Sequence, residues 1–247
     1  MALDLPRFFK ASNPSRTLDI SKPEDRQYYI DFSEVRGSNL IKEIGRAIVF
    51  SEDEPNCQLF TGHIGCGKST ELSRLKAELE QKKFHVVYFE SSQDLDMADV
   101  DISDILLAIA RQVSHSLEAA KIQLQPTRFQ NLLQGAANLL NSEVTGIKAK
   151  VPVVGDIGIN AEPGKFSLAV GIGEITTKAK DSKDIRSLLR QHLEPRVNNI
   201  LEAINQELIE PAQKQLKQQG KAGLVAIVDN LERIDNRQRS SGRTQPE

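Results

Sequence analysis

The chain has 247 residues, 39% hydrophobic and 27% charged, the composition of an ordinary globular protein with room for one large or two small domains. Its 32 basic residues are set against 34 acidic ones, so there is no global positive field and nucleic acid is not indicated as a partner. No run approaches the ~18 apolar residues of a membrane span, the N-terminus lacks the apolar core of a secretion signal, and two cysteines make no disulfide framework; a cytoplasmic chain with no membrane segment is the expectation.

Residues 1–35 are polar, carry Pro6, Pro14 and Pro23, and read as an irregular lead-in. Within them Tyr28-Tyr29-Ile30-Asp31-Phe32 reads as a short strand or docking segment whose aromatics pack or flank a base. Residues 36–94 open with a helix at about 38–50, whose apolar face holds Leu40, Ile41, Ile44, Ala47 and Ile48. The short apolar run Cys57-Gln58-Leu59-Phe60-Thr61 reads as a buried strand. Immediately after it stands Gly62-His63-Ile64-Gly65-Cys66-Gly67-Lys68-Ser69, a full G-x-x-x-x-G-K-S. Leucines at 72, 75 and 79 then mark an amphipathic helix that begins around Thr70.

Strand, glycine turn and helix are the context a phosphate-binding loop requires. Its glycines free the backbone to point successive N–H groups at one anion, and the helix start favours negative charge there. Residues 62–70, Gly62 to Thr70, are therefore the expected nucleotide contacts. Lys68 is suited to the β- and γ-phosphates and the Ser69 hydroxyl to Mg²⁺. Cys66, at a helix N-terminus, has the setting of a reactive thiol, yet it and His63 read more simply as variable loop-tip positions.

Phe84–Glu90 is a second strong strand, apolar enough to be covered on both faces. The next, Gly223–Asp229, lies far beyond the ~30 residues of a simple βαβ unit, so residues 95–220 read as a large, mainly helical insertion. Its expected parts are a helix at Ile102–Leu117, a second at Thr127–Asn141, a β-hairpin over 151–176, and a long helical stretch at Ser182–Lys217 that Pro195 interrupts and Pro211 bends. The hairpin, poor in positive charge, reads as structural or partner-docking.

Residues 221–235 carry Leu224-Val225-Ala226-Ile227-Val228-Asp229, an apolar strand ending in an acid suited to the Mg²⁺ shell. Asn230 follows, where many AAA+ ATPases place a water-activating glutamate; the next acid is Glu232. The run Asp229-Asn230-Leu231-Glu232 resembles the Walker B form of KAP and NACHT members of the STAND ATPases. With the phosphate loop it makes the chain similar to a bacterial STAND/AAA-like P-loop ATPase. That resemblance implies an α/β fold, a P-loop parallel sheet with a large helical insertion, and ATP with Mg²⁺ as cofactors. It assigns Asp229 to the metal and makes Glu232 a candidate for orienting the attacking water, the alternative being a solvated acid paired with Arg233; Lys68 of the loop is the other catalytic candidate, and Arg190, Arg196 and Arg233 are available as arginine fingers. It also implies a strand between those of Walker A and Walker B that would follow residue 235. The tail 236–247 is polar and expected to be disordered, so the core reads as incomplete and the chain as a fragment.

Three functions stand: a nucleotide-dependent regulatory switch with weak or partner-dependent hydrolysis, whose insertion binds a protein partner or a second copy; a small-molecule kinase; and a non-catalytic partner-binding fragment. A GTPase is disfavoured, because Thr177-Lys178-Ala179-Lys180-Asp181 misses the Asn/Thr-Lys-x-Asp guanine signature by one residue.

Overall fold

The computed structural model describes residues 5, 9, 17–35, 39–51, 54–144 and 167–233. The chain divides into two compact units, Met1–Phe84 and His85–Glu247.

Helices described in the first unit include α1 (Pro23–Arg26), α2 (Leu40–Phe50) and α3 (Lys68–Gln81). The Asn39 side chain caps α2 by accepting from the Lys42 N–H at 3.2 Å. α2 packs on α3, where Gly45 brings its backbone against Leu75. Ile41, Leu75, Ala77 and Leu79 are buried there. The lead-in is irregular from Ser33 back to the Tyr28–Phe32 segment, which forms no strand; it docks instead through its side chains. Ile20 is buried, and its N–H donates to Ser73 Oγ on α3.

The expected strand at Cys57–Thr61 is not formed. Residues 55–63 have no regular structure, and Leu59 is 85% exposed. A strand persists only where a neighbour completes its hydrogen-bond ladder, and among the described residues the sheet contains two strands, neither of them this one.

Those strands open and close the second unit. β1 (His85–Glu90) and β2 (Leu224–Asp229) pair in parallel, from His85 opposite Leu224 to Glu90 opposite Asp229. Between them run α4 (Ser91–Asp94), α5 (Ile102–Ala119), α6 (Thr127–Val144), α7 (Leu168–Asp181), α8 (Lys183–Leu193), α9 (Val197–Ala203) and α10 (Glu210–Gln218). Caps define several starts: Asp101 and Asp104 form a capping box on α5, and Ser167 and Ser182 cap α7 and α8. Pro195 interrupts the α-helical run as the sequence indicates, and Pro211 lies where its helical type changes. Pro195 sits in a 3₁₀ turn, Glu194–Arg196, and Pro211 stands in the first turn of α10, directly after a π-helical turn at Ile204–Ile209.

The hairpin expectation fails over the part that is described. Leu168–Asp181 is helix, and residues 151–166 lie outside the described residues, as does the tail. Leu168, Val170 and Ile172 alternate and so mimic a strand. The burial follows the other period: Leu168, Ile172, Ile175 and Ala179 are buried, whereas Val170 is 56% exposed. Those four share one helical face and join a single core with Phe129, Leu133, Leu189, Leu193, Ile200 and Leu208. Val87 and Phe89 of β1 and Leu224 and Val228 of β2 pack against this core, so one face of the sheet is apolar and covered by helices.

Candidate nucleotide site

The phosphate loop leads into α3 through two left-handed glycines, Gly65 at φ +81° and Gly67 at φ +86°. Gly67 is the N-cap of α3 and brings no side chain to the cap, which leaves the first-turn N–H groups open to an anion. Gly62 is needed for space rather than angle: a Cβ there would lie 2.9 Å from Cys66 Sγ. The Lys68 ammonium donates to the Gly62 and His63 carbonyls, each at 3.0 Å, and the residue is buried. The lysine thus lies across the loop. His63 contributes its carbonyl, which also accepts from the Cys66 N–H at 3.2 Å. The His63, Ile64 and Cys66 side chains are exposed; Ser69 and Thr70 are half-buried in the first turn of α3.

Behind the loop lies a polar network that the sequence did not reveal. Glu71, in the first turn of α3, is buried; Tyr29 donates to its carboxylate at 3.1 Å and 3.3 Å. Arg74 donates to the Tyr29 oxygen and, at 2.9 Å, to Asn39 Oδ1, with its Nε 3.5 Å from Glu71. Burial and the Glu71 charge push the Tyr29 phenol up to about 12, so it remains a donor across the physiological range. The partners are 35 to 45 residues apart, a separation no local pattern records.

In the second unit Asp229 ends β2 and is 2% exposed. Its two oxygens are each held: the Tyr88 hydroxyl donates to Oδ2 at 2.6 Å, and the Asn230 N–H donates to Oδ1 at 2.8 Å. Asn230 is left-handed, φ 63°, and turns the chain out of the strand. Burial, the hydrogen bond to Asp229 and the charges of Asp229 and Glu90 raise the Tyr88 phenol far above its ordinary range. Tyr88 is a second residue that sequence reading missed, because it lies 141 residues from its partner. Glu232 is exposed in the 3₁₀ turn Leu231–Arg233.

Mg²⁺ keeps several waters and takes one or two protein oxygens besides phosphate, so a single fixed carboxylate is an adequate donor. No cluster of three metal-ligating side chains occurs among the described residues, and this chemistry needs none. Of the arginines named above, Arg190 is committed to Asp99 at 2.6 Å and Asp104 at 3.2 Å. Arg196 donates to the His192 carbonyl of the preceding turn.

A glycine-turned loop with a buried lysine at a helix start, in a chain whose parallel strand ends in a fixed carboxylate, defines the P-loop NTPases. The KAP family P-loop domain matches residues 38–240, and the chain belongs to that family. No curated protein and no solved structure matches it. No helix among the described residues is long and apolar enough to cross a membrane.

Proposed function

We propose that the chain is the MgATP-binding module of a STAND/AAA-like switch, in which nucleotide state biases an attached protein partner or a second copy and hydrolysis is slow or partner-dependent. The observation that carries this reading is Lys68, buried and already lying across the loop carbonyls of Gly62 and His63. Phosphate arriving at the loop offers the ammonium charge-assisted partners in place of neutral ones. The loop and first-turn N–H groups would bind the phosphates; the groups suited to Mg²⁺ are the Ser69 hydroxyl in the first unit and the Asp229 carboxylate in the second. Bound with the nucleotide, the ion would neutralise charge developing on the β- and γ-oxygens. Tyr88 and Asn230 fix the plane of Asp229, which is the usual task of groups behind a metal ligand.

The test is calorimetric titration of the full chain with ATP and with GTP, each with and without Mg²⁺. ATP binding strengthened by Mg²⁺ is expected, with a loss of about 100-fold in Lys68→Ala, near the ~3 kcal/mol upper range of a charged hydrogen bond. A wild-type chain that does not bind ATP rejects the reading.

A further inference from the structure

The helix that begins at the phosphate loop carries an acid in its first turn. Glu71 follows Lys68 by three residues, its N–H donates to the Gly67 carbonyl at 3.0 Å, and both residues are buried. Residues three apart share one helix face, so the carboxylate and the loop ammonium are natural partners. A negative side chain also gains from the positive end of a helix. The groups that attract Glu71 are therefore those a phosphate needs, the lysine and the open first-turn N–H groups. The acid is an internal rival of the ligand.

The lead-in gives that acid other partners. The Tyr29 hydroxyl lies 3.1 Å and 3.3 Å from the two Glu71 oxygens. Arg74, one turn along α3, donates to the Tyr29 oxygen and, at 2.9 Å, to Asn39 Oδ1. Its guanidinium also stands 5.4 Å from the centre of the Tyr29 ring and 3.8 Å from the Asp31 carboxylate. The Arg74 Nε is buried and makes no hydrogen bond; it lies 3.5 Å from Glu71 and 3.6 Å from Glu78. Held between two carboxylates and bonded to neither, that side of the arginine acts on Glu71 through its charge. A second tie, from the Ile20 N–H to Ser73 Oγ at 3.2 Å, keeps the lead-in on the same helix. All of these residues belong to the first unit, as does the phosphate loop.

We infer that Arg74 is a positioning residue for the nucleotide site: with Tyr29 it keeps the Glu71 carboxylate from competing with phosphate for Lys68 and the loop N–H groups. The inference deepens the proposed binding of ATP and rests on it. It also gives the lead-in a hold on the site. Drawing residues 19–31 away from α3 would take Tyr29 and Asp31 out of the network, release Glu71 and weaken the grip on nucleotide.

The experiment measures ATP and ADP affinity by calorimetry in the full chain, for wild type, Arg74→Gln, Tyr29→Phe, Glu71→Gln and the two doubles that join Glu71→Gln to each of the others. Arg74→Gln should weaken ATP binding by about tenfold and Tyr29→Phe by about threefold, the range for a charge at a helix start. ADP should lose less than ATP, because the rivalry scales with the charge of the ligand. Glu71→Gln should bind ATP at least as tightly as wild type. Each double should return to within about threefold of Glu71→Gln, since the rival is then gone. An arginine that merely supports the fold would leave its double as weak as Arg74→Gln. Wild-type affinity in Arg74→Gln, or a loss that persists in the doubles, overturns the inference and leaves ATP binding standing. Tyr29→Phe and its double carry the same comparison if Arg74→Gln does not fold. A wild type that binds no ATP removes the functional reading together with this one.

Discussion

The unit that carries the phosphate loop and the unit that carries the helices are held together by different means. In the helical unit a continuous apolar core runs from Val87 to Leu216. In the loop unit the buried apolar side chains among the described residues are few, Ile20, Ile41, Leu75, Ala77 and Leu79, and long-range hydrogen bonds join Tyr29, Glu71, Arg74, Asn39 and Ser73. The difference follows from the chemistry. A phosphate cradle must leave backbone N–H groups uncommitted, so its residues cannot all be spent in helix or sheet, and side-chain hydrogen bonds fix the surroundings in their place. The phosphate loop thus belongs to the unit with the smaller apolar core, while Asp229 belongs to the better-packed one.

The largest effect should come from breaking the helical core. Phe129 is fully buried at 0% exposure, and Phe129→Ala should destabilise that unit by about 3–5 kcal/mol, read as a lower denaturant midpoint, with slow hydrogen exchange across α3 unchanged. Arg74→Ala reverses the pattern. It leaves Glu71 buried without its cation and should cost about 1–3 kcal/mol, read as faster exchange in α3 while α5 and α7 keep their protection. Equal loosening of both units in either variant would show that their stabilities are not separate.

A smaller test concerns the loop alone. Gly62→Ala should weaken ATP binding by about tenfold, or ~1.4 kcal/mol, because its Cβ meets Cys66 Sγ. Gly62→Ala/Cys66→Ala should recover the affinity, since the sulfur is then gone; failure to recover would mean that Gly62 is needed for its backbone.

The smallest effect is pH-dependent. Burial would raise the Asp99 carboxyl, but the Arg190 and Arg186 guanidiniums beside it outweigh burial and hold it below its ordinary 3.8. A carboxyl depressed in the folded state stabilises it above the unfolded value, and that contribution disappears as pH falls through the folded value. Asp104 works in the opposite sense, raised chiefly by burial. Asp99→Asn should therefore be less stable than wild type at neutral pH, and the gap should close below pH 3.8 in urea melts.

Sequence reading succeeded where the physics is local. The phosphate loop is eight consecutive residues of recognisable types, and β1, β2, α5 and the 3₁₀ interruption at Pro195 each announce themselves within one short window. It failed where two periods fit. Leu168, Val170 and Ile172 alternate, and only Ile175 and Ala179 further along select the helix, once α5 and α8 are there to cover that face. It failed again for the Cys57–Thr61 run, whose apolar character says nothing about whether a partner strand lies beside it. Tyr29 and Tyr88 were out of reach because their partners are distant in sequence, and Glu90 read only as the last residue of a strand. Its standing beside Asp229 is a property of register.

That register makes β1 intolerant of changes in length. Side chains alternate along a strand, so deleting Val87 would exchange the faces of the residues that follow it. Phe89 would turn away from the helices that now cover it, while Tyr88 and Glu90 would be driven into a dry core. The same strand therefore sets the spacing of two different materials, and a natural variant that lost a single codon there would lose its packing and its acid together.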